Sequence, residues 1–130
     1  MSIDPMKTHG VYSWNELMTT DVPAAKAFYG ELFGWALTDM NDSGTEYTMA
    51  KIGDTPVAGI MAKPPEAEKM PNSWGGYVTV DDVDKRSKQA AELGGKILVE
   101  ATDIPKIGRF AVLADPQGAV FAIITYLEQG

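Results

Sequence analysis

Residues 20–35 read TDVPAAKAFYGELFGW, and this stretch decides the architecture. Thr20-Asp21 followed by Pro23 is a helix start, because an acidic or hydroxyl side chain caps the unpaired N–H groups of a first turn and an early proline already has helical φ. Ala24, Ala27, Phe28 and Leu32 fall at helical spacing, which predicts a helix from about Pro23 to Phe33. Gly34 closes it as a left-handed cap.

On either side the pattern changes to strands. Tyr12 to Thr19 alternates large apolar and polar residues. After the helix, Trp35–Met40, Glu46–Ile52 and Val57–Ala62 read as three strands separated by Asn41-Asp42-Ser43-Gly44 and Gly53-Asp54 turns. The order is βαβββ, and it recurs. Gly76–Val80 reads as a strand, Asp82 as a cap, Lys85–Leu93 as a helix, Gly94-Gly95 as its stop, and three more strands follow. Asp21 and Asp82, Val22 and Val83, Glu31 and Glu92, Leu32 and Leu93, Gly34 and Gly95, Leu37 and Leu98, and Asp54 and Asp115 match without gaps, every pair at the same offset along the chain. The expected fold is α+β: two βαβββ modules, 9–62 and 74–127, in one domain spanning 9–127. Residues 63–73 form a linker in which Pro64, Pro65 and Pro71 discourage regular structure.

Composition narrows the function classes. The chain has 130 residues, 45% of them apolar, and no apolar run near the roughly 20 residues of a membrane helix. Met1 to Met6 lacks the basic start and apolar core of a signal peptide and is left out of the fold. The absence of cysteine removes disulfides, thiolate metal ligands and a Cys nucleophile, and makes a cytoplasmic location the expectation. A net charge of -7, with no block of Lys or Arg to offset it, argues against nucleic acid and anionic membranes as partners.

Thr20-Asp21, Ala27-Phe28-Tyr29, Leu32-Phe33-Gly34-Trp35 and Ala114-Asp115-Pro116-Gln117-Gly118 together resemble the vicinal oxygen chelate superfamily, which includes glyoxalase I, bleomycin-resistance proteins and extradiol dioxygenases. The resemblance covers about residues 9 to 127. It implies a cupped mixed sheet with helices on the convex face and a ligand on the concave one. It fixes no activity, since one fold serves many chemistries. Proteins of this family and length are often homodimers, so a homodimer is implied by the resemblance as well.

Enzymes of that family hold a divalent metal with one ligand near the start of the first strand and one on the fourth strand of each module. Counting from Asp21, Asp82, Asp54 and Asp115 places these positions at Trp14, Gly75, Met61 and Ala122, none of which supplies a nitrogen or carboxylate ligand. No metal and no other cofactor is therefore expected. His9, the one histidine, lies before the first strand and reads as a solvated residue. Trp14, Met18, Tyr47, Met49, Met61 and Tyr77 are large and partly polarisable, which suits an apolar ligand pocket. Gly59, Gly75, Gly76 and Ala122 are small beside them.

Strand alternation puts Trp14, Glu16 and Met18 on one face, which the resemblance makes concave. Glu16 is then a carboxylate aimed into a cavity, where desolvation raises a pKa and makes a general acid or base. Tyr77 is its counterpart in the second module, at the offset that relates Asp21 to Asp82. Two functions follow: a small-molecule binder for a partly aromatic or cationic compound, or a metal-independent isomerase or lyase using Glu16 as catalytic base. A metal-dependent glyoxalase or dioxygenase fits the residues less well. Lys51, Lys63, Lys106 and Arg109 read as solvated charges, and Asp115 as a residue that shapes the turn before the last strand.

Overall fold

In the computed structural model, which describes residues 3–40, 47–65, 68–104 and 106–127, ten elements follow one another. They are β1 (Tyr12–Thr19), α1 (Val22–Phe33), β2 (Ala36–Met40), β3 (Tyr47–Ile52), β4 (Thr55–Ala62), β5 (Ser73–Thr79), α2 (Val83–Glu92), β6 (Lys96–Ile104), β7 (Gly108–Ala114) and β8 (Val120–Tyr126). The βαβββ order holds twice. The Asn41–Gly44 turn, Glu46 and part of the 63–73 linker lie outside the described residues, and β5 begins at Ser73, three residues earlier than the sequence pattern gives.

Contacts divide the chain into two units, one of residues 14–75 and the other of the described residues of 1–13 and 76–127. Each contains a mixed sheet. In the first, β1 pairs parallel with β4, and β3 pairs antiparallel with both β4 and β2. In the second, β5 pairs parallel with β8, and β7 pairs antiparallel with both β8 and β6. A parallel pair needs a long crossover, and in each unit the helix supplies part of it. The N-terminal residues do join the fold: Thr79 donates its hydroxyl to the Pro5 carbonyl at 2.6 Å, and Gly10 N–H donates to the Thr79 carbonyl at 2.7 Å.

Both helices start as their caps require. Asp21 Oδ1 accepts from Ala24 N–H and Asp82 Oδ1 from Lys85 N–H, each at 3.0 Å. Gly34 ends α1 with φ 72°, a left-handed conformation that costs a residue with a Cβ about 1 kcal/mol or more. The second unit carries the larger core: Val80, Val83, Ala111, Leu113 and Ile123 are buried, with Ala90, Ile97, Ala101 and Phe121 packed around them.

Helix α1 forms as its spacing predicts, and the face it packs is a separate matter. Ala24, Ala27, Phe28 and Leu32, the residues at helical spacing, lie on its exposed side, and none of its residues is fully buried. The half-buried side is Val22, Ala25, Lys26, Tyr29 and Gly30. The reason is a close approach: a Cβ at Gly30 would stand 3.1 Å from Leu37 Cδ1 on β2, so the smallest residue of the helix marks its contact line. An apolar residue on every side of the helix left the sequence pattern unable to choose between faces.

The gapless match between the halves does not hold through the strands that follow the helices. Glu16 faces Gly59 across β1 and β4, while Tyr77, its counterpart by the constant offset, faces Ala122 across β5 and β8. Ala122 therefore corresponds to Gly59 and not to Met61. The β6–β7 hairpin pairs through two register shifts between Ile97 and Thr102, whereas β2 pairs with β3 through none, and the left-handed glycine that follows the helix is Gly94 in the second unit, one residue sooner than the match to Gly34 gives. Each bulge takes up one extra residue. Asp54 and Asp115 consequently hold different places: Asp54 sits in the turn between β3 and β4, whereas Asp115 Oδ1 accepts from Gln117 and Ala119 N–H at 2.9 Å and shapes a longer turn.

Candidate functional site

In the first unit, pairing aligns the nominated residues in rows. Glu16 and Met49 both face Gly59, and Met18 and Tyr47 both face Met61. Residues paired directly across strands project to the same side, and alternation adds Trp14 two positions before Glu16. Trp14, Glu16, Met18, Tyr47, Met49 and Met61 thus share one sheet face.

Glycine at position 59 gives this face its shape. The Tyr47 phenol lies in the space that a Cβ at Gly59 would need, so the ring reaches from β3 over β4. There Trp14 Nε1–H, from β1, donates to its hydroxyl oxygen at 2.8 Å. An indole N–H can only donate, which makes the phenol oxygen the acceptor in this bond. Glu16, in the same row as Gly59, retains 5% of its accessible surface, and so does Leu17 on the opposite face. A carboxylate at that depth is unusual, since burial of a charge costs several kcal/mol unless partners compensate.

The donor chemistry here does not fit a divalent metal. The position on β1 is Trp14, whose nitrogen is a protonated donor engaged with Tyr47. On β4 the counterpart of Ala122 by register is Gly59, which has no side chain, and Met61 two residues on offers only a thioether. Gly75 and Ala122, the remaining positions, offer no donor atom. Among the described residues no group of three or more His, Asp and Glu side chains could hold a metal ion.

Tyr77 belongs to the second unit, where it is 4% exposed and its ring centroid lies 6.3 Å from that of Phe110. Tyr126 of the same unit, which no sequence motif marks, has its hydroxyl 2.8 Å from Ser13 Oγ. Burial raises the Tyr126 pKa, with the Ser13 hydrogen bond acting in the opposite sense. No sequence spacing signals that pair, because 113 residues separate its members.

The remaining candidates are engaged in structural roles. His9 is half-exposed, and its Nδ1 accepts from Asp81 N–H at 3.1 Å. Lys63 Nζ donates to the Met70 carbonyl. Arg109 is held by Asp84 at 2.8 Å and Asp103 at 2.9 Å, an arrangement that raises the guanidinium pKa through hydrogen bonds to both carboxylates. A surface cleft of about 490 Å³ in the second unit is lined by Arg109, Asp84 and Asp103 together with Asp81, Lys106 and Tyr126. None of the nominated ligand residues lines it.

A family model described as the glyoxalase/bleomycin resistance protein/dioxygenase superfamily matches residues 11–123. Among curated relatives, "Putative glyoxylase CFP32" of Mycobacterium bovis is 42% identical over 116 residues, covering 88% of this chain and 44% of its own length. The anthracycline biosynthesis protein DnrV of Streptomyces peucetius is 34% identical, covering 88% of this chain and 46% of its own length. The chain thus spans less than half the length of these relatives. Among solved structures, hypothetical protein BH1468 of Bacillus halodurans matches with a TM-score of 0.65 at 14% identity, covering 95% of this chain and 99% of that one. Methylmalonyl-CoA epimerase of Mycobacterium tuberculosis matches with a TM-score of 0.60 at 16% identity, over 95% and 91%. At such identities the likeness is one of fold.

Proposed function

The chain belongs to the glyoxalase/bleomycin resistance protein/dioxygenase superfamily, and from that premise we propose that it binds a small organic compound without a metal. The site is the face of the first unit that carries Trp14, Met18, Tyr47, Met49 and Met61, with Glu16 as its charged group. The observation that carries this reading is the depth of Glu16: a carboxylate 5% exposed, in the same row as a glycine over which an aromatic ring is tethered. Rings and thioethers supply dispersion and π-faces, and the carboxylate supplies a counter-charge. Together they favour a partly aromatic or cationic compound. Similarity to a protein named for anthracycline biosynthesis adds a polycyclic aromatic class to the probes worth testing.

The second reading is a metal-independent isomerase or lyase in which Glu16 removes a proton next to a carbonyl. Its burial is compatible with this as well, since a site closed to water protects a proton transfer from competing hydration. Tyr77, on the corresponding strand of its own unit, is the second phenol assigned to ligand recognition.

A thermal-shift screen of aromatic amines, anthracyclines and enolisable ketones, followed by Glu16→Gln, separates the readings. A binder loses affinity for cations about tenfold or more with no turnover in either protein, the scale of one lost charge-assisted contact. An enzyme loses turnover while retaining binding. No stabilisation by any probe class ends both.

Absence of a nucleic-acid partner and a cytoplasmic location are parts of the same proposal, supported by the net charge of -7 and the lack of cysteine. Among the described residues no helix is long and apolar enough to cross a membrane. Pairing as a homodimer is also proposed. It is supported by α1, where Phe28, Leu32 and Phe33 are each more than half exposed and Phe28 and Phe33 join Tyr29, Trp35 and Trp74 in a cluster of rings. A helix apolar on every side is ordinarily covered. CFP32 and DnrV have more than a further chain's length available for such a cover, and a second copy provides the same in this protein.

A further inference from the structure

We infer that the first unit has replaced the β1/β4 ligand pair of its family by a closed aromatic clasp, in which Tyr47 fills the ligand position and keeps a metal out by volume as well as by chemistry. This rests on the metal-free reading above and goes beyond it. Absence of donors alone would leave the position vacant, whereas a ring standing in it closes the position as well.

The filling follows from three separate observations. The β1/β4 and β5/β8 registers make Gly59 the counterpart of Ala122, which the resemblance places among the family's ligand positions. Any side chain at Gly59 would begin inside the Tyr47 phenol, which lies where its Cβ belongs. Trp14, the β1 position, donates its indole N–H to that same phenol at 2.8 Å. The residues at the two family ligand positions thus hold one tyrosine between them, one by a hydrogen bond and the other by having no side chain.

Tyr47 is therefore a positioned residue whose place depends on Gly59 and Trp14. Gly59 is the less replaceable of the two. Tryptophan at position 14 could yield to another donor of similar reach, whereas even alanine at 59 forces the ring aside.

The test follows the Tyr47 ring by NMR with ¹³C-labelled tyrosine in the full chain, for the wild type, Gly59→Ala and Trp14→Phe, each before and after addition of Ni²⁺. The wild-type ring resonances should be unchanged by Ni²⁺, and both substitutions should shift them, because each removes one of the two constraints on the ring. Unchanged ring shifts in a folded Gly59→Ala protein overturn the clasp and leave the metal-free reading standing. Stoichiometric Ni²⁺ binding by the wild type that broadens the Tyr47 ring resonances overturns both.

Discussion

Trp14 and Tyr47, 33 residues apart in sequence, meet over Gly59 through an indole-to-phenol hydrogen bond of 2.8 Å. The bond joins β1 to β3 across the intervening β4, so it ties three strands of the first unit at the face where Glu16 is buried.

Removing either end of this bond should destabilise the fold modestly. Trp14→Phe and Tyr47→Phe keep ring volume approximately and lose the polar contact, and each is expected to cost about 1 kcal/mol in urea unfolding. If the bond is formed in solution, the double variant costs less than the sum, by about 0.5–1.5 kcal/mol of coupling. Strict additivity would show that the two side chains act independently.

Two glycines predict unequal sensitivities. A Cβ at Gly108 would run into the Thr125 carbonyl and stand 2.9 Å from Tyr126 Cα, so backbone has to move. At Gly59 the obstacle is the far end of Tyr47, which can rotate away. Gly108→Ala should therefore cost roughly 3 kcal/mol or more, and Gly59→Ala about 1–2 kcal/mol. Thermal unfolding of the two variants side by side measures the ranking.

The acid limb of stability should depend on Asp81. Hydrogen bonds from Arg86 chiefly, with the charges of Arg86 and His9 adding to them against some desolvation, lower its pKa from 3.8 to about 2. A pKa depressed in the folded state gives stability that is complete above the unfolded value, near pH 4, and is lost as pH falls through about 2. Carboxyl ¹³C titration should place the Asp81 midpoint near pH 2, and Arg86→Ala should move it up toward 3.8. Asp81→Asn should flatten the stability profile between pH 4 and 2.

Self-association should depend on the outward face of α1. Phe28 and Leu32, each 59% exposed, contribute little to the fold of a single chain. Phe28→Ser/Leu32→Ser should thus shift the mass measured by light scattering from dimer to monomer while changing unfolding of the monomer by less than about 1 kcal/mol. A wild-type monomer at high concentration rejects the homodimer.

The sequence alone determined the features that depend on neighbours in the chain. Asp21 and Asp82 cap their helices because a capping side chain reaches N–H groups three residues ahead, and Gly34 ends α1 because only local φ matters there. The duplicated βαβββ order, the family, and the common face of Trp14, Glu16 and Met18 follow from such short-range rules. Tertiary structure decided what depends on register. Bulges in β6 carry no sequence mark, and the strand registers make Gly59, not Met61, the counterpart of Ala122. The side of α1 that packs was settled by how closely Gly30 lets the helix approach Leu37. Tyr47 came to lie over Gly59 because strand pairing placed a ring beside a missing side chain, a relation between residues that no local pattern encodes.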